Sequence, residues 1–426
     1  MKLFESTLKF QGYPIDEAEQ VLSEISSKDP KALYTWQEEK KWEIFQHHLK
    51  NNPAYRQIVG NKVYDKWEEV PIMQKSDLQK PIEELLSEGY NRKNIYLSNT
   101  SGSSGHPFFF AKDKFSHALS WALIKQRFGL YDVDLNSLQA RFYGIPLDGK
   151  GFIQEKVKDW LSNRIRFTVF DLSNYVLKRF LNIFKKKPIE YIYGYTSSVV
   201  YFARFLLERG IVMKEICPTL KVCIITSEVC TKEDKEVISK AFGVRAVVEY
   251  GASELSVMAF EYPDGNMVCS DEITFFENYQ EPNGSTSLLC TSLFNKAFPI
   301  VRYKIGDSVD FDIKNGRKVI TNINGRVNDF IKLPSGKIAA GLTFYYVFRN
   351  ILESSGRLKE FIIRQVKLDY FVFEIVSSGK LTKKEEKEMH QIMETYLEPD
   401  LKLDIKYVDQ IDRSSSGKLK HFYSEL

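Results

Sequence analysis

The sequence predicts an α/β protein with a large N-terminal α/β domain (residues 1–328) and a smaller C-terminal α+β domain (329–426). Residues 220–254 hold two apolar, β-branched runs, "LKVCIITSE" and "VRAVVEYGASE", on either side of a helical segment, which is the pattern of a parallel βαβ unit. After residue 341, helix and strand patterns alternate over a stretch long enough for a separate domain.

The elements expected along the chain follow from the spacing of apolar residues. Residues 1–93 are mostly helical and irregular, without a catalytic pattern. Apolar residues at helical spacing predict helices over 116–130, near 154–163, 174–186 and 197–209, and over 230–243, 341–353 and 381–397. Short apolar runs predict strands over 220–228, 244–254, 286–292, 317–323, 359–366, 369–377 and 401–408.

The composition argues against some classes of partner. Lys plus Arg total 60 and Asp plus Glu total 56, so the net charge of +4 is too balanced for a nucleic-acid or anionic-membrane partner. The most apolar window, "YIYGYTSSVVYFARFLL", is interrupted by Gly194 and Arg204 and falls short of a membrane span. The N-terminus has no apolar signal-peptide core, and we therefore expect a cytoplasmic protein.

Cysteines and a short basic cluster have plain structural explanations. The five cysteines are an odd number and none stands in a C-x-x-C pair, so reduced, buried thiols are expected rather than a zinc site. The cluster "FKKKP" (184–188) follows an amphipathic stretch and is expected to be an exposed helix end.

Three polar turns are candidates for one ligand crevice. The two strands of the βαβ unit end in "TSE" (226–228) and "GASE" (251–254), and the carboxyl ends of neighbouring parallel strands lie at the edge where open α/β sheets bind ligands. A third turn, Thr100–Gly105, follows the apolar run "IYL". Its small residues let backbone N–H groups approach a phosphate, although a structural turn explains this loop equally well.

Two carboxylates and two basic side chains complete the candidate chemistry. In "EYGASE", Tyr250 can stack on a base and Glu254 can hold Mg²⁺. In "VRYKIGDSV", Asp307 can accept hydrogen bonds from ribose hydroxyls. "NGRVNDFIK" (324–332) contains a Gly-Arg pair, and "DRSSSGKLKHF" (412–422) presents Lys418. Each feature alone also fits an ordinary surface residue, a tight turn or a frayed tail.

Taken together and in this order, the five segments resemble the core motifs of the adenylate-forming superfamily, which includes acyl- and aryl-coenzyme A ligases. "NTSGSSGHP" is similar to its phosphate loop, "YGASE" to Y-G-x-T-E, "RYKIGD" to Y-R-T-G-D, "GRVNDFIK" to G-R-x-x-D-x-I-K, and "SSSGKLK" to its closing loop. The segment "FTVFDLSNYVLKRFLN…PIEYIYGYTSSVVYFARFL" resembles the phenylacetate–coenzyme A ligase branch, particularly CapK-like members linked to capsular polysaccharide synthesis.

The resemblance implies an enzyme that uses ATP and Mg²⁺ to activate a carboxylic acid as an acyl-adenylate, releasing pyrophosphate. The acyl group would then pass to a thiol such as coenzyme A, to a sugar hydroxyl or amine, or to a carrier protein. The N-terminal domain would be the adenylation domain, and the C-terminal domain a lid joined to it by a hinge at Asp329. A non-catalytic nucleotide-binding scaffold with the same fold is the alternative.

The resemblance also assigns roles to individual residues. Lys418 and Glu254 would be catalytic, with Glu254 holding the metal and Lys420 as a second available lysine. The remaining nucleotide-binding residues would be Thr100, Ser101, Gly102, Ser103, Ser104, Gly105, Ser227, Glu228, Tyr250, Gly251, Ala252, Ser253, Asp307 and Arg326. The acid is expected between the turn of Tyr193, Tyr195 and Ser197 and the segment that includes Ala252.

Two further expectations concern charge and the acid. The superfamily commonly has Lys or Thr after the proline of the phosphate loop, but here Phe108 follows Pro107, and Lys112 and Lys114 are the candidates to supply the charge. An aromatic content of 14% suggests an aromatic or long apolar acyl pocket, although a large core explains it as well.

Overall fold

The parallel βαβ unit predicted from the sequence lies at the centre of a larger sheet. A computed structural model is the basis of the description. It describes residues 3–60, 62–99, 109–143, 149–167, 169, 172, 174–282, 284–326, 330–336, 338–340, 358–377, 379–411 and 422–426.

The helices of these residues fall mainly in the first 250 positions. They are α1 (Leu3–Phe10), α2 (Ile15–Ser26), α3 (Pro30–Asn51), α4 (Pro53–Val59), α5 (Ile82–Leu85), α6 (Lys114–Gly129), α7 (Gly149–Leu161), α8 (Asn174–Lys186), α9 (Thr196–Leu207), α10 (Met213–Ile216), α11 (Lys232–Phe242) and α12 (Lys383–Tyr396), with 3-10 turns at Trp67–Glu69 and Lys75–Leu78. Within the described ranges, no helix is long and apolar enough to cross a membrane.

The strands begin at residue 95 and continue to the C-terminus. They are β1 (Ile95–Asn99), β2 (Phe109–Asp113), β3 (Gln139–Phe142), β4 (Arg164–Phe167), β5 (Tyr191–Tyr195), β6 (Val222–Thr226), β7 (Arg245–Ala252), β8 (Ser256–Glu261), β9 (Met267–Cys269), β10 (Thr274–Gln280), β11 (Thr286–Ser292), β12 (Tyr303–Lys304), β13 (Asp307–Lys314), β14 (Arg317–Arg326), β15 (Phe330–Lys332), β16 (Ile338–Ala340), β17 (Leu358–Lys367), β18 (Tyr370–Ser377), β19 (Lys402–Tyr407) and β20 (Phe422–Ser424).

The main sheet has the strand order β13-β14-β9-β8-β7-β6-β5-β3-β4. The five strands from β7 to β4 pair in parallel, and the others pair antiparallel. The predicted β6–α11–β7 unit is therefore confirmed. Because β4 and β5 lie on opposite sides of β3, the strand order reverses between β3 and β5, and such a switch point is where open α/β sheets form a ligand crevice.

Helices cover both faces of the parallel strands. On the first face, Leu119 and Leu123 of α6 pack with Tyr191 and Ile224 of the sheet, and α1 and α2 contribute to the same core. The second face carries α8, α9 and α11, whose Phe180, Phe202 and Phe242 join a separate core with strands β3, β5 and β6. Burial on both sides explains why a central strand such as "VCIIT" is apolar throughout.

Local signals in the sequence account for the ends of two of these helices. The side chain of Thr231 caps the amino end of α11 and forms a capping box with Asp234, as a Thr before an acidic first turn predicts. Helix α8 ends at Lys186, and the lysines that follow Phe184 are exposed. The expectation of an exposed basic helix end is therefore confirmed.

A second group of strands packs with the N-terminal helices. The sheet β10-β11-β12 and the hairpin β1–β2 share a core with α3 and α4, in which Phe45, Tyr55 and Phe110 are fully buried. The side chain of Arg302 is buried and donates to the backbone carbonyls of Glu68 and Val70. This guanidinium fastens the N-terminal segment to the strands.

The smaller C-terminal domain contains the sheet β19-β18-β17-β20 and helix α12. Phe373, Met389 and Met393 are central to its core, which also includes Ile331 and Leu333. Its strands and α12 match the predicted ones closely, while the predicted helix over 341–353 lies outside the described residues. The boundary between 328 and 329 stays a prediction.

The close contact of β3 and β5 leads to a stability prediction. A Cβ atom at Gly194 would lie 2.5 Å from Cβ and 2.8 Å from the carbonyl oxygen of Phe142. We expect Gly194→Ala to lower the free energy of unfolding by about 1–3 kcal/mol, because these strands cannot separate without disturbing both cores. Urea unfolding measures the change.

The matched control is Gly129→Ala at the end of α6, where a new Cβ meets no atom within 4 Å. This substitution should leave stability unchanged or raise it by up to about 1 kcal/mol, since alanine favours helix. Equal unfolding midpoints for the two variants would contradict the proposed crowding at Gly194.

Candidate active site

Two of the three predicted polar turns lie side by side at the carboxyl edge of the sheet. Thr226 pairs with Tyr195 on one side and with Glu249 on the other. The carboxyl ends of β6 and β7 therefore lie next to each other, and so do the segments found there, Ser227–Glu228 and Gly251–Glu254. The third turn, Thr100–Gly105, lies outside the described residues, but the strands on either side of it form an antiparallel hairpin.

Strand β7 changes direction at its end so that its turn faces the crevice. Its pairing with β8 shifts register between Tyr250 and Gly251. A Cβ atom on Gly251 would lie 2.5 Å from the backbone oxygen of Ser256, so only glycine fits here. Beyond the shift, Ala252 is partly exposed and Ser253 is exposed, while Glu254 is 6% exposed. The turn thus presents small groups to solvent and a carboxylate to the interior.

An aromatic ring and a carboxylate are joined next to this turn. The hydroxyl of Tyr250 donates to Oδ2 of Asp307 at 2.6 Å, and both side chains are partly exposed. Asp307 begins β13, opposite the backbone of Arg326 at the end of β14. A carboxylate accepts up to about four hydrogen bonds, so this contact leaves Asp307 able to accept others.

Lys112 and Glu254 bring opposite charges to the same interior. Lys112 is 5% exposed, and its Nζ lies 3.5 Å from Oγ of Ser120. Burial lowers the pKa of Lys112 to about 8, and the nearby Glu254 carboxylate opposes that shift. Burial raises the pKa of the Cys290 thiol, and Asp307 and Glu254 raise it further. Both carboxylates are therefore close to the same buried sulfur.

The structure distinguishes the two lysines that follow the phosphate loop. Nζ of Lys114 donates to the carbonyl oxygen of Gln11 at 2.9 Å and lies 5.8 Å from the centre of the Tyr13 ring. Lys114 thus ties α6 to the N-terminal helices. Lys304, in the segment "RYKIGD", forms an ion pair with Glu281. Of these lysines, Lys112 is the one in the electrostatic range of Glu254.

His117, which sequence reasoning did not select, lies beside Lys112. Its Nε2 accepts a hydrogen bond from Nε1 of Trp121 at 3.0 Å, and its ring stacks on Tyr96 at 3.9 Å. Burial, together with the Lys112 charge, lowers the pKa of His117 to about 3. The ring is therefore neutral with its proton on Nδ1, a buried atom without a hydrogen-bond partner among the described residues.

A second polar group lies on the first face of the sheet, at the switch point. The guanidinium of Arg141 lies 4.3 Å from the centre of the Tyr143 ring and 5.1 Å from that of Tyr193. The two rings are nearly parallel, with centres 5.7 Å apart. We call this group, with its hydrogen-bonded neighbours, the polar wall; its members are Arg141, Tyr143, Tyr193, Ser227 and Glu249.

Hydrogen bonds connect the polar wall across β5, β6 and β7. The hydroxyl of Tyr193 donates to Oε1 of Glu249 at 2.6 Å, and Thr226 also bonds to this carboxylate. The hydroxyl oxygen of Tyr143 lies 3.4 Å from Oγ of Ser227, whose left-handed φ of 72° is rare for a residue other than glycine. Strained backbone of this kind is frequent at ligand sites.

The predicted acid-binding residues fall partly within this region. Tyr193 belongs to the polar wall, and the buried ring of Tyr195 has its centre 4.2 Å from that of Tyr143. Ala252 lies at the end of β7, and the side chain of Ser197 is outside the described part. Arg141 and Glu249 were missed, although a charged residue within the apolar runs "LQARFYG" and "RAVVEYGA" is a visible signal.

The remaining predicted residues cannot be placed. Asp329, Lys418, Lys420 and the side chain of Arg326 lie outside the described residues. Glu228 is described by its backbone contact, since its carbonyl oxygen accepts a hydrogen bond from Oγ1 of Thr196 at 3.2 Å. This bond links the predicted nucleotide-binding segment to the start of α9.

Comparisons with known proteins show what the chain is similar to. Residues 335–425 match the family described as the CapK C-terminal domain. Protein CapK of Staphylococcus aureus is 23% identical over 328 residues, which cover 70% of this chain and 69% of that protein. Indoleacetate–lysine synthetase of Pseudomonas savastanoi is 23% identical over 275 residues, covering 60% of this chain and 62% of that protein.

Solved structures share the fold. A structure of 2-hydroxyisobutyryl-CoA ligase in the postadenylation state superimposes with a TM-score of 0.65 at 15% identity, covering 93% of this chain and 89% of that one. The chain is therefore similar to CapK in sequence and to adenylate-forming ligases in fold. GH3.15 acyl acid amido synthetase superimposes with a TM-score of 0.56 at 13% identity, covering 87% and 86% of the two chains.

The comparisons support two expectations from the sequence. They agree with the resemblance to CapK-like proteins and adenylate-forming enzymes, and the mixed α/β fold has the expected smaller C-terminal domain. Its place in the phenylacetate–coenzyme A ligase branch stays a prediction.

The buried Glu249 should make the stability of the protein depend on pH. Burial raises the pKa of Glu249 above its ordinary 4.5, although the hydrogen bonds from Tyr193 and Thr226 oppose the shift. Between 4.5 and the folded-state pKa, the folded protein holds a proton that the unfolded chain has lost. The free energy of unfolding should therefore fall as the pH rises through this window.

Glu249→Gln removes this titration, because the amide does not ionise. Urea unfolding of both proteins from about pH 4 to about pH 8 should show wild type losing stability relative to the variant as the pH rises. Parallel pH profiles would mean that Glu249 has an ordinary pKa and is not desolvated.

Proposed function

We propose that this protein activates a carboxylic acid as an acyl-adenylate, using ATP and releasing pyrophosphate, and then transfers the acyl group to an acceptor. The observation that carries the proposal is the hydrogen bond from Tyr250 to Asp307 beside the buried Lys112 and Glu254. The carboxyl edge of the sheet, where α/β proteins bind ligands, thus carries three features. They are an aromatic ring, a carboxylate that can accept hydrogen bonds from hydroxyls, and a pair of opposite charges. These groups match the base, ribose and phosphates of a nucleotide.

The nucleoside would bind at the ends of β6 and β7. Tyr250 would stack on adenine, and Ser227 and Glu228 would contact the edge of the base. Asp307 would accept hydrogen bonds from the ribose hydroxyls. Gly251 and Ala252 would let the backbone approach, and the exposed Ser253 would lie near the α-phosphate.

The phosphates would extend toward the hairpin of β1 and β2. Thr100–Gly105 would contact the departing pyrophosphate through backbone N–H groups. Glu254 would hold Mg²⁺ together with phosphate oxygens, which suits a metal that prefers one or two carboxylates in addition to its substrate. Lys112 would supply the positive charge that Phe108 cannot.

Activation joins two anions, so the reaction needs positive charge at the carboxylate and the α-phosphate. Lys418 would supply it from the C-terminal domain, and Arg326 would help to fix the ribose or a phosphate. A rotation at Asp329 would then withdraw Lys418 and prepare the acyl transfer.

The acid would bind beside the turn of Tyr193, Tyr195 and Ser197, on the other side of β7 from the base. The acceptor is a thiol such as coenzyme A, a sugar hydroxyl or amine, or a carrier protein. The names of similar proteins include a CoA ligase and amide-forming synthetases. A role in capsular polysaccharide synthesis is proposed from the CapK likeness.

A non-catalytic nucleotide-binding scaffold is the competing function. It would keep the nucleoside contacts, such as those of Tyr250 and Asp307, without needing an acid. Acid-dependent turnover therefore separates the two, whereas ATP binding does not.

Acid-dependent ATP–pyrophosphate exchange over aryl, fatty and hydroxy acids tests the proposal. We expect exchange with one class of acid, and a loss of about 100-fold or more in Lys418→Ala, because this lysine neutralises the transition state. Lys420→Ala is the matched control and should keep exchange. ATP binding without exchange for any acid would favour the scaffold, and full activity of Lys418→Ala would reject that lysine.

A second prediction concerns the buried lysine. Lys112→Met should lower kcat/KM for ATP by about 10-fold to 100-fold, because the phosphates lose a desolvated charge. Lys114→Met is the control, since Lys114 is bonded to Gln11, and it should keep wild-type kinetics. Exchange assays over a range of ATP concentrations measure both, and equal effects of the two substitutions would show that Lys112 has no special role.

A further inference from the structure

The polar wall lies where the acid would be bound. Arg141 and Tyr143 come from β3 and its carboxyl end, and Tyr193 from β5, so the wall is at the switch point of the sheet. Glu249 precedes Tyr250, and adjacent Cα atoms are about 3.8 Å apart. The side chains of neighbouring residues in a strand point to opposite faces of the sheet. Tyr250, with its partner Asp307, therefore lies on one side of β7, and the polar wall lies on the other.

Parts of the wall are exposed to solvent. Arg141 and Tyr193 are partly exposed although they lie on central strands, Tyr143 just after β3 is also partly exposed, and Ser227 is exposed. Below them, Phe128 of α6 closes the same face, with its ring centre 6.1 Å from that of Tyr193. The exposed parts of the wall therefore lie toward the carboxyl edge of the sheet.

Hydrogen-bonding capacity in the wall is incompletely used. Arg141 donates from Nη1 to Oε1 of Gln139 at 3.3 Å, while its buried Nε has no partner among the described residues. The described part of the chain gives Arg141 no ion pair, because the nearby Asp159 is engaged by two nitrogens of Arg166, at 2.7 and 2.8 Å. A buried donor of this kind favours a ligand oxygen.

The charges in the wall discriminate between classes of acid. An alkyl or phenyl group would cover Arg141 and Glu249 without bonding to them, which is costly for charged groups. A second carboxylate would approach Glu249, and an ammonium group would approach Arg141. Neutral hydroxyl groups satisfy both, because each hydroxyl donates and accepts, and the tyrosine rings offer apolar faces to the carbon skeleton.

We propose that the acid activated by this protein carries several hydroxyl groups and belongs to the class of sugar acids, with Arg141, Tyr143, Tyr193, Ser227 and Glu249 binding those hydroxyls. This inference rests on the proposed adenylation. It replaces the aromatic or long apolar acid suggested by composition, since the many aromatic residues serve the cores and the wall.

The test compares gluconate, glucuronate and galacturonate with hexanoate and phenylacetate, in pyrophosphate exchange and in calorimetric binding with a non-hydrolysable ATP analogue. Wild type should favour at least one hydroxylated acid by about 100-fold or more in kcat/KM, because a site built to bond hydroxyls rejects analogues that lack them. Tyr193→Phe and Glu249→Gln should each reduce this preference by about 10-fold or more, with KM for ATP unchanged.

Tyr191→Phe is the matched control, because it removes a tyrosine hydroxyl from the same strand and face, where it is bonded to Gln139 at 2.7 Å. It should keep the preference. Exchange with hexanoate or phenylacetate at equal or higher efficiency would overturn the sugar-acid proposal and leave adenylation intact. Binding of a sugar acid without exchange would support the wall and reject adenylation, and neither binding nor exchange would overturn the proposal.

Discussion

The contact between β3 and β5 at Phe142 and Gly194 is the constraint on which the rest of the site depends. The chain adds β4 on one side of β3 and β5 on the other, so the connections that follow β3 and β5 cover opposite faces. The two strands stay paired up to Phe142 and Gly194, near the edge where such sheets form a ligand crevice. The absence of a side chain at Gly194 permits this pairing, because a Cβ there would overlap Phe142.

Charges in this molecule fall into two groups according to how completely they are paired. Arg127 and Glu272 are each 2% exposed and form an ion pair at 2.7 Å, which fastens α6 to the segment before β10. Lys112, Arg141 and Glu249 are also desolvated, but none of them forms a direct ion pair among the described residues. Glu254 acts on Lys112, and Arg141 on Glu249, only through their electrostatic fields. A desolvated charge without a direct partner destabilises the folded state. Such charges are therefore expected where a bound ligand supplies the missing contacts.

Strand β7 is central to the proposed site because its two faces carry different groups. Tyr250 faces Asp307 and the proposed nucleotide, and Glu249 faces Tyr193 and the proposed acid. The register shift after Tyr250 then turns the chain so that Glu254 returns to the interior beside Lys112. One short segment would thus position groups for both proposed substrates, as an in-line reaction between them requires.

The sequence by itself determined the βαβ unit, and it predicted the resemblance to the adenylate-forming superfamily and the proposed nucleotide residues. These depend on local patterns: turn residues at fixed spacing, apolar runs and capping signals. Tertiary structure alone decided which lysine interacts electrostatically with Glu254. Lys112 and Lys114 are only two positions apart, but Lys112 lies near Glu254 and Lys114 bonds to Gln11. Tertiary structure also brought the residues of the polar wall together. Arg141, Tyr193 and Glu249 are far apart in the chain and meet only through parallel strand pairing, which no local pattern encodes.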